Sequence, residues 1–323
     1  MPANLTPDFM AADKKFKAAA TPQERLSALE EMLATIPKHK GTEKMQADIK
    51  RRIAKLRTET QRRRGAARGK PFYLVDKEGA GQLALVGAPN TGRSSLLAAL
   101  TNAEPEVADY PFTTRVPLPG MMTYENVQIQ LVDLPPITAD FQEGWLYAII
   151  RTAHAALLVV DLGADDLLEQ AEAVLALLAQ ANIHLVAEPH EPQQKRAIVV
   201  ANKLDARGAA DRLALFREFI GDRLTVLPVS AKAGTGLDAL REASYKLLGV
   251  IRVYSKPPGK KADMSAPFIL PRGSTVLDAA EAIHKDFVEK LRFARLWGRD
   301  GYQGQMVGRD HVLEDGDVLE IHA

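Results

Sequence analysis

The chain has 323 residues, 46% apolar and 26% charged, and no cysteine; that balance excludes a wholly disordered chain, and the missing thiols exclude disulfides, thiol catalysis and thiolate metal sites. The net charge of +1 is unevenly spread: residues 1–70 hold 17 Lys+Arg against 8 Asp+Glu, the remainder 25 against 33. A basic arm on an acidic body points to a polyanionic partner, nucleic acid foremost.

In chain order, the opening MPANLTPDFM has no apolar core of signal-peptide length, and no apolar run approaches the roughly 20 residues that span a bilayer. A cytoplasmic protein is expected. Residues 1–20 read as loosely ordered. Thr21-Pro22-Gln23-Glu24 has the form of a capping box. Apolar residues then follow at Leu26, Leu29, Met32, Leu33 and Ile36, one face of a helix that Pro37 ends. A basic link, Lys38 to Thr42, leads to a second stripe at Met45, Ile49, Ile53 and Leu56. The spacing predicts a basic helical hairpin within residues 1–70, followed by a Gly- and Arg-rich linker.

Over residues 71–249 short apolar runs near 83–86, 127–132, 155–160, 196–201 and 224–229 alternate with helical segments such as 166–180, 209–220 and 237–248. That alternation predicts an α/β domain with a mainly parallel, doubly wound sheet. After the turn-rich Lys256–Lys261, residues 250–323 form a small α+β module with 11 basic and 11 acidic residues. Its expected elements are a strand at Phe268–Leu270, one helix over about 275–289, and strands near 294–297 and 318–322.

Four motifs carry chemistry. Gly87-Ala88-Pro89-Asn90-Thr91-Gly92-Arg93-Ser94 follows a strand and opens a helix. Its spacing is that of a phosphate-binding loop, with Arg93 in the place of lysine. Such a loop turns the backbone N–H groups of Ala88 to Ser95 inward on a phosphate, at the positive end of a helix dipole. Ser94 offers a hydroxyl to Mg²⁺. Taken alone, the stretch has a lesser second reading, a plain Gly-rich βα turn. Asp133 ends a strand, where it could reach a metal through water. Asn202-Lys203-Leu204-Asp205 ends another; Asp205 could accept two hydrogen bonds from a guanine edge, with Lys203 along the base. Ser230-Ala231-Lys232 could close over that base. All four fall at carboxyl ends of strands, where open α/β sheets bind ligands.

The ordered set GAPNTGRSS, DYPFTTRVPLPG, DLPPI, ANKLD and VSAK resembles Obg/DRG-type GTPases. Residues 109–120 are similar to the switch region of that family. The stretches Gly273-Ser274-Thr275, Ile283-His284-Lys285-Asp286-Phe287, Leu296-Trp297-Gly298 and Asp315-Gly316-Asp317 are similar to a TGS module, a ubiquitin-like β-grasp domain. The resemblance covers roughly residues 22–323, but no insert of extra strands within the G domain is evident. It implies a P-loop G domain binding GTP or GDP, Mg²⁺ held by Ser94, Thr114 and Asp133, slow hydrolysis, and association with a ribosome or RNA. Asn90, in its G-x-P-N turn, implies K⁺ stimulation; stabilising the turn is its other reading.

Two departures stand out. Arginine is planar and bulkier than the lysine it replaces at position 93. Pro136 stands where the family has a glycine whose N–H senses the third phosphate, and proline has no N–H. Both suggest weak turnover or a blunted switch, and they sustain an alternative: a non-hydrolysing adaptor joining RNA and a protein partner. Lys38, His39, Lys40, Lys44, Arg62, Arg63 and Arg64 are the candidate RNA contacts, weighed against a merely solvated helix face or a site for an acidic protein surface. His284-Lys285-Asp286 reads as a helix end, Asp161, Asp165 and Asp166 as capping, and Trp145 and Trp297 as packing.

Overall fold

The computed structural model describes residues 7–18, 22–36, 42, 45–46, 49, 51–53, 73–103, 116–298 and 303–322. They fall into two units, Met1–Phe72 and Tyr73–Ala323.

In the first unit, α1 (Pro7–Ala18) and α2 (Pro22–Thr35) are helices. The expectation of loose order over residues 1–20 is therefore corrected for residues 7–18. Phe9 and Ala12 are buried with Leu29, Met32 and Ile36, so a stripe too thin to announce a helix is stabilised by packing. Lys15 Nζ pairs with Glu31 at 2.9 Å. Residues 45–46, 49 and 51–53 are helical, and Ile49 and Ile53 join the same cluster. The unit thus has three helical stretches among its described residues, where a two-helix hairpin is expected. Thr21 of the capping box lies outside the described residues, as does most of the basic link.

The second unit contains two sheets. The larger has seven strands: β1 (Gln82–Val86), β2 (Leu118–Tyr124), β3 (Val127–Asp133), β4 (Ala155–Asp161), β5 (His184–Val186), β6 (Gln194–Asn202) and β7 (Val226–Pro228). Their order is β2-β3-β1-β4-β6, with β5 and β7 both beside β6. All pairings are parallel except β2 with β3. Every residue of β1 is buried, because successive side chains enter opposite layers. Leu83 and Leu85 pack towards α3 (Arg93–Leu100) and α7 (Leu237–Leu248). Ala84 and Val86 pack towards α4 (Gly144–Thr152), α5 (Leu167–Gln180) and α6 (Ala209–Ile220). This is the doubly wound α/β architecture.

The smaller sheet has order β11-β10-β12-β8-β9, built from β8 (Val250–Ser255), β9 (Phe268–Pro271), β10 (Phe293–Trp297), β11 (Gln303–Val307) and β12 (Asp317–His322). β12 and β8 are parallel and the other pairs antiparallel. Helices α8 (Val276–Ile283) and α9 (Lys285–Lys290) accompany it. Ile251, Val253, Val276, Ala280, Leu296 and Leu319 belong to its core. This is the β-grasp form. The single helix expected over 275–289 is two helices, because His284 is extended (φ −165°, ψ 132°) and its Nδ1 accepts from the Asp286 N–H at 3.2 Å. The sequence pattern does not announce β2, β5, β8 or β11.

The sheets are joined through the β2–β3 turn, Glu125-Asn126. Arg252 of β8 donates to both Asp315 oxygens, Nε to Oδ1 at 3.1 Å and Nη2 to Oδ2 at 2.7 Å. Its Nη1 donates to the Glu125 carboxylate and to the side-chain Oδ1 of Asn126. The Tyr245 hydroxyl donates to Asp315 at 2.7 Å, and the Arg252 guanidinium lies 5.0 Å over the Tyr245 ring. Among the described residues no helix is long and apolar enough to cross a membrane.

Candidate functional site

The loop from Gly87 to Gly92 joins β1 to α3 against the carboxyl ends of β4 and β6. Gly87 is required by closeness: a Cβ there would sit 2.4 Å from the Val159 carbonyl oxygen. Gly92 has φ +84°, and a Cβ would lie 2.4 Å from Asn202 Nδ2. Thr91 is buried and its hydroxyl donates to the Ala88 carbonyl at 3.1 Å. Asn90 crests the loop at φ +59°, exposed, its side chain without a hydrogen-bond partner among the described residues.

Arg93 folds inward. It is only 8% exposed, and its Nη1 donates to the Gly87 carbonyl at 2.7 Å and to the Ala88 carbonyl at 2.5 Å. Its Nε stands 3.4 Å from Asp133 Oδ1. Ser94 Oγ donates to Asp133 Oδ2 at 2.6 Å. Burial lowers the Arg93 pKa and raises that of Asp133, each opposed by the charge of the other. Asp133 Oδ1 is buried without a hydrogen bond. A buried carboxylate beside a serine hydroxyl is a hard-oxygen pair of the kind Mg²⁺ prefers, here with Arg93 already facing one carboxylate oxygen.

The segment after Asp133 offers few donors. Pro135 and Pro136 have none, both are buried, and the Ile137 N–H bonds the Gly87 carbonyl at 3.1 Å. The same carbonyl therefore holds both Arg93 and this segment.

Asn202 is the hub between loops. It is 2% exposed; its Nδ2 donates to the Thr91 carbonyl at 3.0 Å and its Oδ1 accepts from the Ala231 N–H at 3.1 Å. Lys203, at φ +62°, places Nζ 2.6 Å from Asp161 Oδ2. Asp161 is thus a partner for Lys203, beyond the capping role expected of it. Asp166 sits at the start of α5 but makes no side-chain cap bond; it accepts from Gln170. Asp205 Oδ1 accepts from Ser230 Oγ at 2.5 Å, which lowers the Asp205 pKa and keeps it ionised. Gly92, Ser95, Asn202, Lys203, Asp205, Ala206, Ala231 and Lys232 line one cleft of about 470 Å³. The structure thus brings the loop, the Asn202–Asp205 stretch and residues 230–232 to one rim.

Thr114, within residues 104–115, lies outside the described residues, as do Lys38, His39, Lys40, Lys44, Arg62, Arg63 and Arg64. The hold of Gly87 on Ile137 escapes the sequence motifs, although the Pro-Pro pair hints at a stretch poor in donors. Trp145 stacks on Tyr73 at 5.7 Å, and Lys256 Nζ lies 4.5 Å over Trp297, so both tryptophans serve packing.

Residues 82–203 match the family described as 50S ribosome-binding GTPase, and residues 251–323 the TGS domain. The chain is 34% identical to GTP-binding protein MJ1326 of Methanocaldococcus jannaschii, over 93% of this chain and 92% of that one. The alignment runs over 366 residues, more than this chain contains, so the relative carries residues that this one lacks. Identity is 29% to Developmentally-regulated G-protein 1 of Arabidopsis thaliana (92% of this chain, 90% of that one). It is 27% to Ribosome-interacting GTPase 1 of Saccharomyces cerevisiae (94% and 99%).

Proposed function

The chain belongs to the Obg/DRG-type GTP-binding proteins with a TGS domain, and from that premise we propose that it binds GTP and GDP, hydrolyses GTP slowly, and couples the cycle to a ribosome or RNA in the cytoplasm. The observation that carries the nucleotide reading is the shared cleft, where Asp205 and Asn202 face the same space as Gly92 and Ser95. Asp205 receives the two donors of the guanine edge, Lys203 lies along the base, and Ser230, Ala231 and Lys232 cover it. The backbone of residues 88–95 and Arg93 take the phosphates. Ser94 and Thr114 would hold Mg²⁺, with Asp133 supporting it through water; when bound it would neutralise charge on the phosphates. No general base stands among the described residues of the site; this chain's part in hydrolysis is to position phosphate and water, with K⁺ at Asn90 as an accessory. RNA or ribosome contacts fall to Lys38, His39, Lys40, Lys44, Arg62, Arg63, Arg64 and the TGS module.

One observation favours the adaptor alternative: Arg93 is bonded to the carbonyls of its own loop. Single-turnover hydrolysis in K⁺ and in Na⁺, beside Arg93→Lys, separates the two. Slow wild-type turnover that K⁺ accelerates supports the GTPase; no wild-type turnover with rescue in Arg93→Lys supports the adaptor. The RNA arm predicts binding that weakens steeply with salt and is lost on reversing the charges of Lys38, Lys40 and Lys44. Binding unchanged by that reversal contradicts it.

A further inference from the structure

We propose that Arg93 is an internal counter-ion that relieves nucleotide binding of much of its dependence on Mg²⁺. The proposal rests on the nucleotide reading above and concerns the same site. The guanidinium has three nitrogens with distinct fates. Nη1 is bonded to the Gly87 and Ala88 carbonyls, which anchors the group inside the loop. Nε faces Asp133 Oδ1 at 3.4 Å. Nη2 makes no hydrogen bond to the described residues, and on this proposal a phosphate takes it. A lysine at this position would bring a point charge and no second edge to hold Asp133.

Two consequences act in the same direction. First, Asp133 is the carboxylate that would orient water on a metal, and its free oxygen is already neutralised by Arg93, while its other oxygen is held by Ser94 at 2.6 Å. A divalent cation must compete with a fixed positive charge for that carboxylate, which weakens its attraction to the site. Second, an arginine fork gives a phosphate directed, charge-assisted hydrogen bonds that need no metal. Nucleotide affinity should therefore change little when the metal is withdrawn. The Gly87 carbonyl, which also holds the Ile137 N–H at 3.1 Å, keeps the arginine and the segment after Asp133 in one fixed frame.

The test is equilibrium binding of a fluorescent GDP to the full chain, with excess Mg²⁺ and with chelator, for wild type and Arg93→Lys. The expected wild-type loss on chelation is under about tenfold, and the expected loss in Arg93→Lys about a hundredfold, because the lysine leaves Asp133 to the metal. A wild-type loss of a hundredfold or more overturns the proposal without any variant. Equal losses in the two proteins overturn it as well. If wild type binds GDP under neither condition, the nucleotide reading itself fails and takes the proposal with it, an outcome distinct from the other two.

Discussion

Asp205→Asn is expected to weaken GDP binding by on the order of 10²–10³ and to raise affinity for the xanthine nucleotide at the same time. The reason is the pairing of donors with acceptors. Guanine presents N1–H and a 2-amino group side by side, and an ionised carboxylate accepts both. Asp205 is prepared for that: Ser230 Oγ donates to its Oδ1 at 2.5 Å, which fixes its rotamer and favours the charged form. Asparagine supplies one acceptor and one donor, and the donor would confront the 2-amino group. Xanthine has a carbonyl at that position, which accepts from the new amide. Competition against a fluorescent GDP measures both changes together. GDP affinity within threefold of wild type would remove Asp205 from the base site.

Arg252→Ala is expected to lower unfolding stability by about 2–4 kcal/mol. The guanidinium is almost wholly buried, and its loss strands the carboxylates of Asp315 and Glu125 together with the side-chain Oδ1 of Asn126. Glu125 is 56% exposed, so water recovers part of its interaction and keeps the cost below that for a fully buried triad. Burial alone would raise the Asp315 pKa, but hydrogen bonds from Arg252 and Tyr245 outweigh it and hold the group at about 2, against 3.8 for a free side chain. A depressed carboxylate stabilises the fold in full above its unfolded pKa and loses that contribution as pH falls through the folded one. Wild-type stability should therefore decline between about pH 4 and pH 2, and Arg252→Ala should show a shallower decline over that window. Urea unfolding across that pH range checks both. Equal stability of the two proteins at neutral pH would show that the joint between the sheets is not held by this residue.

The same joint marks where the sequence stops being legible. Each nucleotide motif is a run of a few residues after an apolar strand, so local pattern suffices to place Gly87–Ser94, Asp133, Asn202–Asp205 and Ser230–Lys232 at one end of the sheet. Arg252 and Asp315 are 63 positions apart. Asp315 enters the sequence reading only within the TGS-like stretch Asp315-Gly316-Asp317, and Arg252 interrupts a stretch too mixed to announce β8. The β2–β3 hairpin is hidden for a related reason. Two-residue turns favour Asn-Gly or Asp-Gly, and here Glu125 takes φ +49° without a glycine. Helix α1 is invisible because Phe9 and Ala12 make a stripe only when Leu29 and Met32 are present to receive it. At His284 an extended backbone interrupts a helical pattern that composition would carry through to Lys290. Arg93 shows the opposite case. Its identity is plain in the sequence, but its direction, inward to the loop carbonyls and Asp133, belongs to the fold alone.

Guanine selection by Asp205 is decided by competition of GTP, GDP and ATP for the purified wild-type protein in Mg²⁺, read by displacement of a fluorescent GDP. GTP and GDP are expected to displace the probe, while ATP, whose 6-amino group and bare N1 offer Asp205 no pair of donors, needs a concentration about a thousandfold higher or more. Displacement by ATP as effective as by GTP would contradict it.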